Sequence, residues 1–250
     1  MLFYAPSMTM SFPEIIKKGT AYMNVWMYVI RELEDAIEDC RTGCAALDDD
    51  CNADPVHAWD EAVAFYTGSL EGTDGSGSGH LLYSLADKRC VNFRTCGDLA
   101  NTDSGTSHVN IEIFRQFQDG LQKILTGQCD AAKEIKVRIE QQMAVPLIQG
   151  TLRYAYKRDL EFEVDDPKAE AEGAAFAAAV LPLVHACDKF DADIIYSNMA
   201  VGSVNVDFSE VKRAFGKYKI AIPAVFHSEN LSIGQHSRHC RLLSPFSHEA

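Results

Sequence analysis

Apolar residues recur along most of this chain at steps of three and four, which returns successive side chains to one face of a helix. The pattern predicts helices over 13–42, 55–71, 80–93, 107–126, 128–163, 167–199 and 207–218. No stretch alternates apolar and polar residues for long enough to predict a convincing strand. Two helix starts are sharp. Asp54-Pro55 and Asp166-Pro167 each place a capping carboxylate before a proline at the first turn. Between helices, GTDGSGSG (72–79) and GDLANTDSGTS (97–107) are connectors rich in glycine and small polar residues. The expected fold class is all-α: a helical bundle of two similar packed helical units with long irregular loops.

Three predicted helices carry polar residues in positions that need explaining. On the first, Asn24, Tyr28, Arg31, Asp35 and Glu38 form one seam, opposite Trp26, Val29, Ile30, Leu33 and Ile37. On PVHAWDEAVAFYTGSLEG (55–72), His57, Asp60, Glu61 and Glu71 share an edge with Ala64 and Gly68, opposite Trp59, Val63, Tyr66 and Leu70. That edge faces either water or something that binds carboxylates. On the third, Gly173 to Cys187 carries no formal charge and is expected to be buried on most sides, with Glu172 at its border. A carboxylate there is protonated, paired with Lys or Arg, or bound to a cation, because a bare buried charge costs several kcal/mol. The simpler alternative is that Glu172 only stabilises the first turns of its helix through the dipole.

A faint internal echo links the two halves. Glu61-Ala-Val-Ala-Phe65 matches Glu172-Gly-Ala-Ala-Phe176, and each follows an Asp-Pro start after a long helix carrying Met-x-Val, at Met23 to Val25 and Met143 to Val145. The shared order of elements predicts an N-terminal arm (1–12), one all-α domain (13–218) and a C-terminal tail (219–250). Within the domain it predicts two units, 13–126 and 128–218, packed about a pseudo-twofold axis. Glu61 and Glu172 are then expected to approach one centre.

Composition narrows the function classes. The 250 residues are 47% hydrophobic, enough for a large core, and the formal charge of −13 makes nucleic acid and anionic membranes poor partners. Cations are the natural complement. The longest apolar run, Gly173 to Cys187, falls short of the roughly 18 residues of a membrane span, so no transmembrane segment is expected. The opening MLFYAPSMTMSFPEII lacks the basic and apolar regions of a secretion signal. Yet eight cysteines, most near helix ends or loops, predict disulfides and an extracytoplasmic setting. Cys90 and Cys96 suit a local loop staple, while a structural zinc site would need paired CxxC units, which are missing.

The candidate chemistry is ligation rather than catalysis. RELED (31–35) offers several oxygen donors within one turn, and His57 to Glu61 is an i, i+4 pair of the kind that builds metal sites on facing helices. Oxygen donors with an occasional His suit a hard ion such as ferric iron. The competing interpretation is a solvated acidic face. HSRHC (236–240) is a second, weaker place for a metal. There is no HExxH, phosphate loop, GxSxG turn or recognisable cysteine nucleophile, and no enzymatic activity is expected.

Longer motifs carry a resemblance: RELEDAIEDC (31–40), VHAWDEAVAFYTGSLEG (56–72), LLYSLADKRC (81–90), VPLIQGTLRYAY (145–156) and AEGAAFAAAVLPLVHACD (171–188). Together they resemble the algal Fe-assimilating protein family, also described as high-CO2-inducible periplasmic proteins. The similarity covers roughly residues 20 to 215. A more distant likeness to imelysin-type helical proteins accompanies it, without their GxHxxE motif. The resemblance implies a secreted, periplasmic or cell-surface protein that binds iron, ferric rather than ferrous, and assists a membrane-bound iron uptake system. Carried onto this chain, the matching positions are Glu32, Asp35, His57, Asp60, Glu61 and Glu172. The alternative is a secreted, disulfide-stabilised structural or interaction protein without specific metal binding.

Overall fold

The computed structural model describes residues 6–43, 54–71, 78–161 and 166–216. The fold is all-α. In chain order the helices are α1 (Pro6–Gly19), a π-helical segment (Thr20–Val25), α2 (Trp26–Thr42), α3 (Pro55–Thr67), α4 (Leu82–Phe93), α5 (His108–Leu125) and α6 (Cys129–Leu160). They continue with α7 (Pro167–Cys187), α8 (Lys189–Met199) and α9 (Phe208–Gly216). Among the described residues β pairing is limited to isolated bridges from Cys96 to Thr102 and to Ser107.

Helices α2 and α3 pair in antiparallel fashion, with their register fixed at three levels. The Asp54 backbone N–H donates to the Asp39 carboxylate at 3.1 Å, Glu32 hydrogen-bonds Glu61, and the Tyr28 and Phe65 rings lie 5.3 Å apart. Helix α3 starts where the Asp54 side chain accepts the His57 N–H at 3.0 Å beside Pro55. It stops at Gly68, whose φ of 79° is open to glycine at little cost. The apolar seam predicted for α2 is buried as expected, including Val29 and Leu33 at 0% exposure.

Helix α6 is the centre of the molecule. Every residue from Gln142 to Leu152 is buried, and α5, α7, α2, α4 and α9 all pack around it. Two of its polar members are met, Thr151 donating to the Leu147 carbonyl at 3.0 Å and Gln149 to the Thr95 hydroxyl at 3.3 Å, whereas Gln142 Oε1 is buried without a hydrogen-bond partner among the described residues. Two glycines allow close packing. A Cβ on Gly150 would lie 2.8 Å from the Phe176 ring, and one on Gly120 would lie 2.0 Å from the Trp59 ring. Trp59 is held there by an N–H donation to the Phe117 carbonyl at 3.0 Å.

The helix expected over 167–199 divides at Asp188. Its backbone is extended (φ −151°, ψ 107°) and its carboxylate accepts the Phe190 and Asp191 N–H groups, so it caps a new helix instead of continuing the old one. The helix expected from 13 begins earlier, at Pro6, and runs through the π segment, which buries Ala21 and Tyr22. Residues 6–12 therefore belong to α1, and 219–250 lie outside the described residues. Helix α7, at 21 residues, is long and apolar enough to cross a membrane by length and composition. Half of its apolar window is buried within the protein, against α6, α1 and α8, as in a core helix.

Two disulfides join described cysteines. Cys40–Cys129 ties the end of α2 to the start of α6 across 89 residues of sequence, and Cys90–Cys96 closes the turn after α4. Cys187 is disulfide-bonded as well, while Cys44, Cys51 and Cys240 lie outside the described residues.

Candidate metal centre

The α2–α3 pairing brings several of the sequence-nominated residues together because antiparallel helices align side chains one turn apart on both partners. Glu32 from α2 hydrogen-bonds Glu61 from α3, and His57, one turn before Glu61, places Nε2 3.0 Å from Glu61 Oε1. Burial raises the Glu32 carboxyl above its ordinary range, and the nearby charges of Glu61 and Asp35 raise it further. Two carboxyl groups hydrogen-bond only while a proton sits between them, and a metal cation relieves the same repulsion. Asp35 is on this edge but is paired with Arg31, whose Nη2 lies 3.2 Å from Oδ1. Both of those side chains are exposed, so their attraction is weak.

Asp60 borders a different space. A cavity of about 670 Å³ lies between α3, α4 and α5, and Asp60, Thr67 and Glu71 contribute to its wall together with Tyr83, Asn110 and Phe114. The polar edge of 55–72 is thus split, with His57 and Glu61 beside α2 and Asp60 and Glu71 at the cavity.

Glu172 sits apart from both. Its carboxylate is buried and lies 3.4 Å from the Lys18 ammonium of α1. Burial pushes the Glu172 carboxyl upward, Lys18 opposes this, and a hydrogen bond that its protonated form donates to the Glu14 carboxylate pushes it up again. Burial correspondingly lowers Lys18, which lies 5.7 Å from the centre of the Tyr22 ring. Tyr22 is itself pushed up to about 12 by burial, against the influence of Arg89. Of the three fates open to a buried carboxylate, Glu172 therefore shows pairing with lysine.

The structure does not gather Glu61 and Glu172 into one group. Glu61 follows its capping Asp54 by seven residues and Glu172 follows Asp166 by six, an offset that rotates the side chain by about 100° around the helix. Their helices also have different neighbours: α3 packs on α2, α5 and α4, whereas α7 packs on α6, α1 and α8. Among the described residues, no three His, Cys, Asp or Glu side chains are arranged to hold one metal ion. HSRHC (236–240) lies outside the described residues.

Lys18, Glu14 and Arg89, which surround Glu172, carried no signal in sequence periodicity, since they come from α1 and α4. The cavity residues from α4 and α5 were equally hidden. Comparison with known proteins gives no match: no family model fits the chain, and no curated protein or solved structure matches it.

Proposed function

We propose that this protein binds iron as cargo, without turning over a substrate, at the α2–α3 edge through Glu32 and Glu61 with His57 as a nitrogen donor. The observation that supports this is the Glu32–Glu61 carboxyl pair with His57 Nε2 at 3.0 Å from Glu61. Two hard oxygen donors and an imidazole suit ferric ion better than a soft metal. Glu32, Glu61 and His57 are not arranged around one point in the metal-free protein, so capture requires them to turn toward the ion, His57 and Glu61 exchanging their mutual contact for it. This narrows the six nominated residues. Asp60 belongs to the cavity and Glu172 is already met by Lys18. The disulfides suit an oxidising compartment, so we place this binding outside the cytoplasm, where the cargo passes to a membrane-bound uptake system.

Titration of metal-stripped protein with ferric nitrilotriacetate tests the assignment. One iron per chain is expected, with affinity lowered by about tenfold or more in Glu32→Ala and Glu61→Ala, the loss of one charged ligand, and retained in Glu172→Ala. Unchanged affinity in both edge variants rejects it.

The second proposal is a disulfide-stabilised interaction protein in which the acids only confer solubility. It is favoured by one observation: Asp35, Glu61 and Glu172 each have a basic partner, Arg31, His57 and Lys18 respectively. On that account ferric and calcium ions bind weakly and alike, and the Glu32 and Glu61 variants bind them as the wild type does.

A further inference from the structure

The cavity between α3, α4 and α5 has its own chemistry, separate from the α2–α3 edge. Its walls are mainly apolar and aromatic: Val63 and Ala64 from α3, Ile111 and Phe114 from α5, and Tyr83 from α4. The Tyr83 and Phe114 rings meet nearly at right angles with centres 5.8 Å apart, and Tyr66 packs edge-on against both.

These walls are held in place from behind. The Asn110 side chain donates to the Tyr83 carbonyl at 3.0 Å and to the Asp87 carboxylate at 2.7 Å, and it accepts from the Tyr66 hydroxyl at 2.5 Å. One residue of α5 thus locks α3 and α4 together, so the cavity is built before any ligand arrives.

The polar groups in the wall are of one sign. Asp60 and Glu71 both border the space, neither forms an ion pair among the described residues, and no Lys, Arg or His contributes to the wall. Glu71 Oε1 and Thr67 Oγ1 are shut off from solvent and have no hydrogen-bond partner among the described residues. A buried acceptor without a donor is costly, and both residues that carry one border the cavity, where a turn of the Glu71 carboxylate away from Gly79 would bring it to a donor.

We propose that this cavity binds a small organic cation, an amine or ammonium head on an apolar body, with the head at Glu71 and Asp60 and the body against Tyr83 and Phe114. Aromatic faces attract such heads too, more weakly than a carboxylate does. The volume of about 670 Å³ lies in the usual span of small-molecule sites. A hard metal ion is a poor occupant, since most of the wall is apolar and offers it no oxygen ligands. An anion is excluded by the two carboxylates.

Calorimetric titration of the full chain with three probes of similar shape tests this: phenethylamine, charged at neutral pH, phenethyl alcohol and 3-phenylpropionate. The amine is expected to bind once per chain and about tenfold or more tighter than the alcohol, the size of one charge-assisted contact, with no binding of the acid. Glu71→Gln should erase the preference for amine over alcohol. Equal binding of amine and alcohol to the wild type overturns the proposal, whatever the variant does, and so does a preference that survives Glu71→Gln. Neither result bears on iron, because Glu32, Glu61 and His57 take no part in this cavity.

Discussion

The carboxyl of Glu32 on α2 meets that of Glu61 on α3, and the hydrogen bond between them needs a proton. Burial and the neighbouring acids raise Glu32 above its unfolded value, so its proton favours the folded state. That contribution is complete below the unfolded carboxylate range and is lost as pH rises through the raised folded value. Glu32→Gln removes the repulsion permanently. We expect it to stabilise the metal-free protein at neutral pH by less than about 1 kcal/mol, because the pair is partly solvated. Thermal unfolding from pH 3 to 8 should show the gain fading at the acid end.

Lys18 offers the converse case. Without its ammonium, Glu172 is a buried carboxylate without its counter-ion, 7% exposed at the side chain. Lys18→Met should cost up to about 3 kcal/mol at neutral pH. Burial holds the Glu172 pKa above the usual range, so the loss should shrink as pH falls and the carboxyl takes up a proton. Urea unfolding at two pH values, one neutral and one near 4, measures the difference. A loss independent of pH would mean that Lys18 acts by packing alone.

The disulfides should differ in weight. Cys40–Cys129 spans 89 residues and Cys90–Cys96 spans six. Loop-closure entropy gives about 4–5 kcal/mol for the first and about 2 kcal/mol for the second. Paired Cys→Ser replacements, compared by denaturant midpoint, should reproduce that order.

Two glycines should respond in opposite directions to alanine. Gly120→Ala drives a Cβ to 2.0 Å from the Trp59 ring and should cost about 1–3 kcal/mol by overpacking. At Gly19 the φ is −60° and nothing lies within 4 Å of the added Cβ. Gly19→Ala should therefore gain about 0.5–1 kcal/mol from helix propensity. Chemical denaturation of the two variants is sufficient.

Helix positions were legible in the sequence because amphipathic spacing is local. The Asp-Pro starts of α3 and α7 fell where expected, and the core seam of α2 was read residue by residue. The break at Asp188 was missed because an apolar pattern runs on through it, and only the capping role of its carboxylate interrupts the helix. The central position of α6 was also hidden, since Gln142, Gln149 and Thr151 make a buried stretch look half exposed. Of the candidate site, the polar edges that carry Glu32, His57 and Glu61 followed from helical periodicity, while their meeting across α2 and α3 is a finding of the structure. So is their distance in kind from Glu172, because Lys18 is brought to Glu172 by packing of α1 on α7 rather than by any local pattern.

The most direct measurement is an anomalous-scattering map, collected at the iron edge, from crystals grown with ferric ion. A single strong peak between α2 and α3, bonded to the Glu32 and Glu61 carboxylates with the His57 ring turned toward it, is the predicted result. A peak anywhere else, or none at saturating iron, would contradict it.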